Sequence, residues 1–346
     1  MSDLTSNLVV GDRMPNFVRP AINGEPFDLY KDRCGQQVVL LVINESVIDS
    51  LSALQPVEGR SLVILICGDR QSLANRTPNS IPAGALGVTD GGDLSAFIRS
   101  GSSAPAVAVL MDRNMRVVHR SECQELGQVS DWWQKVCVCS GGYRRPGHAP
   151  VLIIPGVFEP EFCRTVIDHF HAAGSEPSGV LIQKADGRMV YQTDDEVKIR
   201  REQRLDSGLL LSQIVQRVER RVLPEIQWAF NYRVARYEGI KTVMYDSDSG
   251  GFFAPHRDND GVDTAHRRFA MTLNLNSEEY EGGALRFPEY ESGGYKPPSG
   301  SAVIFSCNLA HEALPITSGK RYAVISFLNS EAEVQHNVQM ERQLGE

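Results

Sequence analysis

Two histidines and one aspartate in the C-terminal half have the residue types and spacing of a metal site. His256 and Asp258 stand two positions apart, and in an extended strand residues at that spacing point to the same face. His311 follows later, after the strand-like run 301–306. Taken alone, His311 near a strand end would be interpreted as an ordinary core or surface residue. The combination of the three residues predicts one bound metal ion.

This set of ligands favours ferrous iron together with an anionic co-substrate. Two histidines and one carboxylate occupy three positions of an octahedral Fe(II) ion and leave three open. Since one carboxylate leaves the site cationic, a chelating 2-oxo acid can take two of these positions, and dioxygen can take the last. Arg321, in the strand-like run 321–327, offers a planar guanidinium suited to the far carboxylate. Taken alone, Arg321 would be a surface charge.

Six blocks of sequence surround these residues in a recognisable order: Tyr245, 255–259, 281–287, 298–305, 311–315 and 319–322. They resemble the prolyl 4-hydroxylase-like branch of the 2-oxoglutarate/Fe(II) dioxygenases over about residues 150–330. Carried over residue by residue, the resemblance implies that iron is bound by His256, Asp258 and His311. It also implies that Arg321 binds the 2-oxoglutarate carboxylate, and that Tyr245, which could equally be a core residue, adds a hydroxyl hydrogen bond beside it.

The resemblance further implies a double-stranded β-helix, or jelly-roll, fold and a hydroxylation reaction. Fe(II), the co-substrate 2-oxoglutarate and O2 would be required, and ascorbate (vitamin C) is a candidate further requirement. The hydroxylated group would be an unactivated C–H bond in a prolyl or other side chain of a protein or peptide; a free amino acid or small metabolite is the alternative substrate. The sequence departs from the pattern at Asn274, where many relatives have tyrosine, and at the inserted run 246–251.

The element pattern of the C-terminal half agrees with a mainly β domain with flanking helices. Short strand-like runs separated by Gly, Pro and Asp begin near Thr242, which is typical of a barrel or jelly roll. Before them, apolar spacing predicts a strand at 151–154, a helix at 159–171 and a longer helix at 206–230.

The N-terminal half alternates strand-like and helix-like segments and predicts a compact α/β unit. The predicted elements are strands at 38–43, 62–67 and 106–111, helices at 46–54 and 126–136, and a hairpin turn at 112–114 leading into a strand at 116–119.

Two motifs, 11–17 and 23–29, resemble the opening of peroxiredoxins, which share the thioredoxin fold, over about residues 8–140. Pro105 falls where that fold usually has a cis-proline. The segment 44–50, where the family carries its peroxidatic cysteine, contains no cysteine. We therefore expect a thioredoxin-like domain that is non-catalytic, although Cys137 and Cys139 leave a thiol pair as an alternative.

The predicted organisation is a thioredoxin/peroxiredoxin-like domain at 1–140, a linker at 141–150, a dioxygenase domain at 151–332 and a tail at 333–346. Two other classes of function are weighed against the dioxygenase: a thiol peroxidase, and a non-enzymatic scaffold acting through the N-terminal domain. That domain could bind a partner protein or mediate a homodimer.

Composition excludes several partners. The 346 residues carry a net charge of −8, divided as −1 over 1–145 and −7 over 146–346, so no nucleic-acid or anionic-membrane partner is expected. No apolar run has membrane-spanning length, no signal-peptide pattern opens the chain, and the seven cysteines are scattered, which predicts a cytoplasmic protein. The basic run 198–204 is interpreted as a solvated face, with a substrate-facing rim as the alternative.

Overall fold

The computed structural model describes residues 8–54, 61–67, 81–99, 101–126, 128–129, 147–183, 189–261, 264–290, 293–333 and 335. The chain divides into two compact units. The first comprises Met1–Gly147 with Pro288–Glu291, and the second comprises His148–Phe287 with Ser292–Glu346. Among the described residues, no helix is long and apolar enough to cross a membrane.

The N-terminal unit contains a five-stranded mixed sheet. Its elements are β1 (Val18–Pro20), β2 (Pro26–Asp28), α1 (Leu29–Asp32), β3 (Val38–Asn44), a 3-10 helix (Glu45–Ala53), β4 (Ser61–Cys67), β5 (Ala85–Asp90), α2 (Asp93–Arg99), β6 (Ala106–Met111) and β7 (Val117–Cys123). The strand order is β5-β4-β3-β6-β7. Strands β5, β4 and β3 run parallel, whereas β6 and β7 pair antiparallel.

The central strand β3 is apolar from Val38 to Ile43 because both faces of the sheet are covered. Val38, Leu40 and Val42 enter one hydrophobic core, whereas Val39 and Leu41 enter another. The continuous apolar run at 38–43 thus correctly predicts a buried strand.

The structure confirms the predicted strands and the hairpin turn of this unit and corrects other details. The Asp112 carboxylate accepts hydrogen bonds from the backbone N–H groups of Asn114 and Arg116, which closes the turn. The segment predicted as a helix at 46–54 is a 3-10 helix. The peptide bond before Pro105 is trans, so the expected cis-proline is absent. Most of the predicted helix 126–136, together with Cys137 and Cys139, lies outside the described residues.

The C-terminal unit is mainly β. Its elements are β8 (Leu152–Ile154), α3 (Pro160–Ala173), β9 (Glu176–Pro177), β10 (Val180–Gln183), β11 (Met189–Gln192), β12 (Lys198–Ile199), β13 (Arg201–Arg204), α4 (Leu209–Arg221), α5 (Leu223–Phe230), β14 (Arg236–Asp246), β15 (Phe252–His256), β16 (Phe269–Asn274), β17 (Glu281–Gly282), β18 (Leu285–Arg286), β19 (Ala302–Ser306), β20 (His311–Ala313), β21 (Ile316–Ser318) and β22 (Lys320–Asn329).

Two sheets organise these strands. A seven-stranded sheet has the order β8-β19-β16-β22-β14-β13-β9, and a four-stranded sheet has the order β12-β15-β20-β18. Both sheets contribute side chains to one cavity, which therefore lies between them. This arrangement agrees with the predicted mainly β domain with flanking helices.

The helices cover one face of the larger sheet, and the period-two alternation of its strands separates that face from the cavity. On β14, Met244 belongs to the core that contains Val166 of α3 and Ile214 of α4, whereas Tyr245 belongs to a separate cluster. Tyr245 lines the cavity. Helix packing and site geometry are thus set by consecutive residues of one strand.

The predicted helix 206–230 is divided into two. The first helix ends at Arg221, and α5 begins at Leu223 with Pro224 in its first turn. Proline has no backbone N–H and clashes with the preceding turn of a continuous helix. Because a new helix begins at Leu223, Pro224 lies in a first turn, where proline is best tolerated.

Candidate metal centre

His256, Asp258 and His311 converge, with one potential ligand atom from each lying within 4.8 Å of the others. His256 ends β15 and His311 begins β20, where the two residues are cross-strand partners. Asp258 lies in the turn after β15, not on the strand as expected, because the strand ends at His256. Its backbone N–H donates to the Cys307 carbonyl at 3.2 Å.

Backbone hydrogen bonds set the orientation of both imidazoles. Nδ1 of His256 lies 2.8 Å from the Ala254 carbonyl oxygen, and Nδ1 of His311 lies 3.0 Å from that of Leu309. A carbonyl only accepts, so each Nδ1 carries the proton and each Nε2 carries a lone pair when the ring is neutral. Histidines that bind metals commonly make this kind of outer hydrogen bond.

The charge state of the three groups fits a cation. Burial lowers the pKa of His311 to about 4, so its ring is neutral near pH 7. Burial also raises the pKa of Asp258, but the neighbouring His311 and His256 outweigh burial and hold that pKa at about 2. The two Nε2 atoms lie 3.5 Å (His256) and 3.3 Å (His311) from the Asp258 carboxylate oxygens. The neutral His311 ring and the ionised Asp258 carboxylate therefore both direct lone pairs toward the point where the three side chains meet, an arrangement that a metal ion would stabilise.

Aromatic rings hold the two histidines in place. The Phe253 ring stacks on His256 with centroids 3.6 Å apart, and the Phe305 ring meets His311 edge-on at 4.6 Å. Both phenylalanines line the cavity, which has a volume of about 80 Å³. This apolar wall limits access of water to the ligand atoms.

Arg321 is a buried cation that lacks an acidic partner among the described residues. Its side chain donates from Nη1 to the Gly283 carbonyl at 2.8 Å and from Nη2 to Asn274 Oδ1 at 3.4 Å. Both acceptors are uncharged. Nε is buried and has no hydrogen-bond partner in the described part of the chain. A guanidinium in this position, lining the same cavity as the metal ligands, fits a carboxylate ligand.

Gly283 allows its carbonyl to reach Arg321. Its φ is +63°, in the left-handed region, and an added Cβ would lie 2.2 Å from Ile316 Cδ1 and 3.4 Å from Arg321 Cδ. Only glycine accepts this backbone and this packing without displacement. The backbone conformation and the close packing next to Arg321 therefore explain why glycine stands at position 283.

Tyr245 is held by a second arginine that the sequence reasoning did not assign to the site. Arg200 donates from Nη1 to the Tyr245 hydroxyl at 3.1 Å. It also donates from Nε to Ser178 Oγ at 3.2 Å and from Nη2 to Glu202 Oε2 at 3.3 Å. Tyr245 and Arg200 both line the cavity.

The basic run 198–204 is therefore not uniformly a solvated face. Lys198 is 8% exposed, and the Arg200 side chain is also 8% exposed, whereas Arg201 and Arg204 are exposed. The short strand β12 belongs to the four-stranded sheet and β13 belongs to the seven-stranded sheet. This pairing with two different sheets buries the side chains of Lys198 and Arg200. His266, considered as a stray ligand, is absent from the convergent group; its Nε2 lies 2.8 Å from a Glu238 oxygen.

Comparison with known proteins assigns the domain. Residues 240–329 match the model of the 2OG-Fe(II) oxygenase superfamily. Over 100 residues the chain is 32% identical to procollagen-lysine,2-oxoglutarate 5-dioxygenase 1 of Rattus norvegicus, which covers 28% of this chain and 13% of that protein. The chain thus spans only a small part of the length of that relative.

Two solved structures have weaker likeness. A prolyl-4-hydroxylase from Pseudomonas putida shows a TM-score of 0.40 with 17% identity, covering 52% of this chain and 92% of that one. A thiol:disulfide interchange protein DsbE from Chlorobium tepidum, itself assigned as putative, shows a TM-score of 0.30 with 17% identity, covering 38% and 98%.

The C-terminal region thus contains a 2OG-Fe(II) oxygenase domain, as the sequence predicts. Fe(II), 2-oxoglutarate and O2, which the sequence predicts, are what this superfamily uses. A His-Asp-His group that could hold the iron is present in the structure.

Proposed function

We propose that this protein is a 2-oxoglutarate-dependent Fe(II) dioxygenase that hydroxylates an unactivated C–H bond. The observation that carries the proposal is one cavity that holds both the His-Asp-His group and Arg321, a buried cation paired with no carboxylate in the described chain. These are the two anchors that an iron-chelating dicarboxylate needs.

The chain's own residues would have separate tasks. His256, Asp258 and His311 would hold iron, which when bound supplies activation of dioxygen coupled to decarboxylation of 2-oxoglutarate. Arg321 would fix the far carboxylate of the co-substrate through its free Nε and its Nη groups. Tyr245, oriented by Arg200, would place its hydroxyl beside the same carboxylate.

The proposed substrate is a side chain of a protein or peptide, prolyl or lysyl in type. The support is the match to a superfamily whose relative here is named a procollagen-lysine dioxygenase. A free amino acid or another small metabolite is the second candidate, and the use of ascorbate is also open to test. Cytoplasmic localisation remains a prediction of the sequence.

Anaerobic titration with Fe(II) and 2-oxoglutarate tests the proposal directly. We expect the weak visible charge-transfer band of the iron chelate in wild-type protein and its loss in His256→Ala. A folded, iron-loaded wild-type protein without that band would contradict the proposal and favour the scaffold function.

We further propose that the N-terminal unit is a thioredoxin-like, catalytically silent domain that binds a partner or mediates a homodimer. Its mixed five-stranded sheet and the absence of cysteine from 44–50 support this. We place the domain at 1–140, the linker at 141–150, the oxygenase domain at 151–332 and the tail at 333–346. A folded protein lacking 1–145 should retain uncoupled 2-oxoglutarate turnover; robust thiol-dependent consumption of peroxide by the full chain would instead support the peroxidase alternative.

A further inference from the structure

Lys198 is a largely buried lysine without a carboxylate partner among the described residues. The residue as a whole is 8% exposed, and it lines a cavity. Its ammonium group lies over the Phe253 ring, whose centroid is 5.1 Å from Nζ. A cation buried in this way is costly unless a ligand pairs with it.

Lys198 lines a second cavity of about 280 Å³ that adjoins the metal site. The two cavities share five lining residues: Arg200, Phe253, Asp258, Ile325 and Phe327. The second cavity extends from Asp258, a metal-ligand candidate, to exposed Arg204. It therefore lies beside the candidate metal centre and also has an exposed residue in its lining.

Three of the cations that line this cavity are in ion pairs, two of them sharing one carboxylate. Lys241 Nζ lies 2.9 Å from Glu202, which also pairs with Arg200, and Arg267 pairs with Glu238.

The other two cations that line this cavity, Arg204 and Lys198, differ in exposure. Arg204 is exposed and lies 3.5 Å from Asp206. Lys198 is thus the buried cation of the cavity that the described residues leave unpaired.

The pKa of Lys198 is lowered, as is usual for a lysine that is largely buried without a carboxylate partner. Burial first, and then the nearby Arg200, lower its pKa to about 7 against the opposing effect of Glu202 and Asp258. An anionic group placed beside Nζ would restore the charged form.

We propose that Lys198 binds a carboxylate of the substrate, so that the substrate is an acidic segment of a protein, with Asp or Glu beside the residue to be hydroxylated. This inference rests on the proposed dioxygenase function. The 2-oxoglutarate carboxylate is a different ligand, because Arg321 lines the metal cavity and not the second one, whereas Lys198 lines only the second.

The test compares matched peptides on the full-length protein loaded with Fe(II) and 2-oxoglutarate. Fluorescein-labelled peptides carry a central Pro or Lys flanked by Asp and Glu, or by Asn and Gln. Anaerobic fluorescence anisotropy measures binding, and succinate release under air measures turnover. Free aspartate and glutamate form a third arm, which distinguishes a small acid from a peptide.

Acidic peptides should bind at least about tenfold more tightly than their amide counterparts, the equivalent of about 1.4 kcal/mol. Lys198→Met should abolish this preference and Lys198→Arg should keep it. Lys31→Met removes the same charge at an exposed position of the N-terminal unit and should change nothing.

Equal binding of acidic and amide peptides by wild-type protein, or a preference retained in Lys198→Met, would overturn the inference. Competition by free aspartate or glutamate without peptide binding would keep the carboxylate site but refute the protein substrate. Uncoupled succinate release without any peptide tests the dioxygenase function separately, so a failure there is distinguishable from failure of the inference.

Discussion

Tyr245 and Arg321 are cross-strand partners on β14 and β22, with the Arg321 guanidinium carbon 5.3 Å from the Tyr245 ring centroid. Directly opposed residues of an antiparallel pair place their side chains on one face of the sheet. The proposed co-substrate anchor is therefore built from the rigid centre of the larger sheet, where geometry is held more accurately than on a loop.

Arg321→Ala should raise the 2-oxoglutarate concentration needed for turnover by roughly 30-fold or more, since a charged hydrogen-bonded pair is worth about 2 kcal/mol. Iron binding should persist, because the histidines and Asp258 do not contact Arg321 in the described hydrogen-bond network. Titration of the Fe(II) protein with 2-oxoglutarate measures both. Unchanged affinity for 2-oxoglutarate would refute the anchor.

Metal binding should stabilise the wild-type protein against heat. Mn(II), as a redox-stable substitute for Fe(II), at about 100 times its dissociation constant should add about 2.7 kcal/mol to the free energy of unfolding. His311→Ala should lose this gain, and chelation with EDTA should reverse it in the wild-type protein. Differential scanning calorimetry of each protein with and without metal measures the shift; an equal shift in wild type and variant would place the metal elsewhere.

Gly283→Ala should weaken 2-oxoglutarate binding without removing any polar side chain. The new methyl group would collide with Ile316 and crowd Arg321, displacing the carbonyl that holds the guanidinium. Gly293→Ala is the matched control, because a Cβ there would meet nothing within 4 Å. Equal affinity in the two variants would show that the Gly283 backbone does not set the position of Arg321.

Lys198→Met should increase the stability of the protein at pH 6 by about 1–3 kcal/mol, because it removes a buried unpaired charge. The lysine is protonated below its folded pKa of about 7 and near neutral above it, whereas an unfolded lysine titrates near 10.4. The penalty is therefore full at low pH and fades as pH rises from 7 toward 10. Urea denaturation at pH 6 and pH 9.5 measures it; a variant less stable than wild type at pH 6 would contradict the assignment.

The sequence predicts which side chains converge better than it predicts the elements that carry them. The types and order of His256, Asp258, His311 and Arg321 are local facts of the sequence, and the structure brings their side chains to one cavity. Arg200 was missed because a basic run normally indicates a solvent-exposed surface, and only the pairing of distant strands buries it.

The helical pattern over 206–230 gave the correct element type but missed its interruption. Apolar spacing continues through Val222, so periodicity alone predicts one helix, while Pro224 divides it. In the N-terminal unit, the sequence pattern does not predict β5, a six-residue strand with four buried residues, because Gly87, Thr89 and Asp90 interrupt its apolar character. Burial there depends on neighbours far away in the sequence.

The hydrogen bonds that orient His256 and His311 end on main-chain carbonyls of Ala254 and Leu309. Every amino acid has that carbonyl, so the tautomer of both rings is independent of which side chains occupy 254 and 309. The candidate metal centre should thus tolerate substitutions at these two neighbours, provided that the path of the backbone is kept. Sequence variation around the ligands is then free to reshape access to the cavity while the ligand atoms stay aimed at one point.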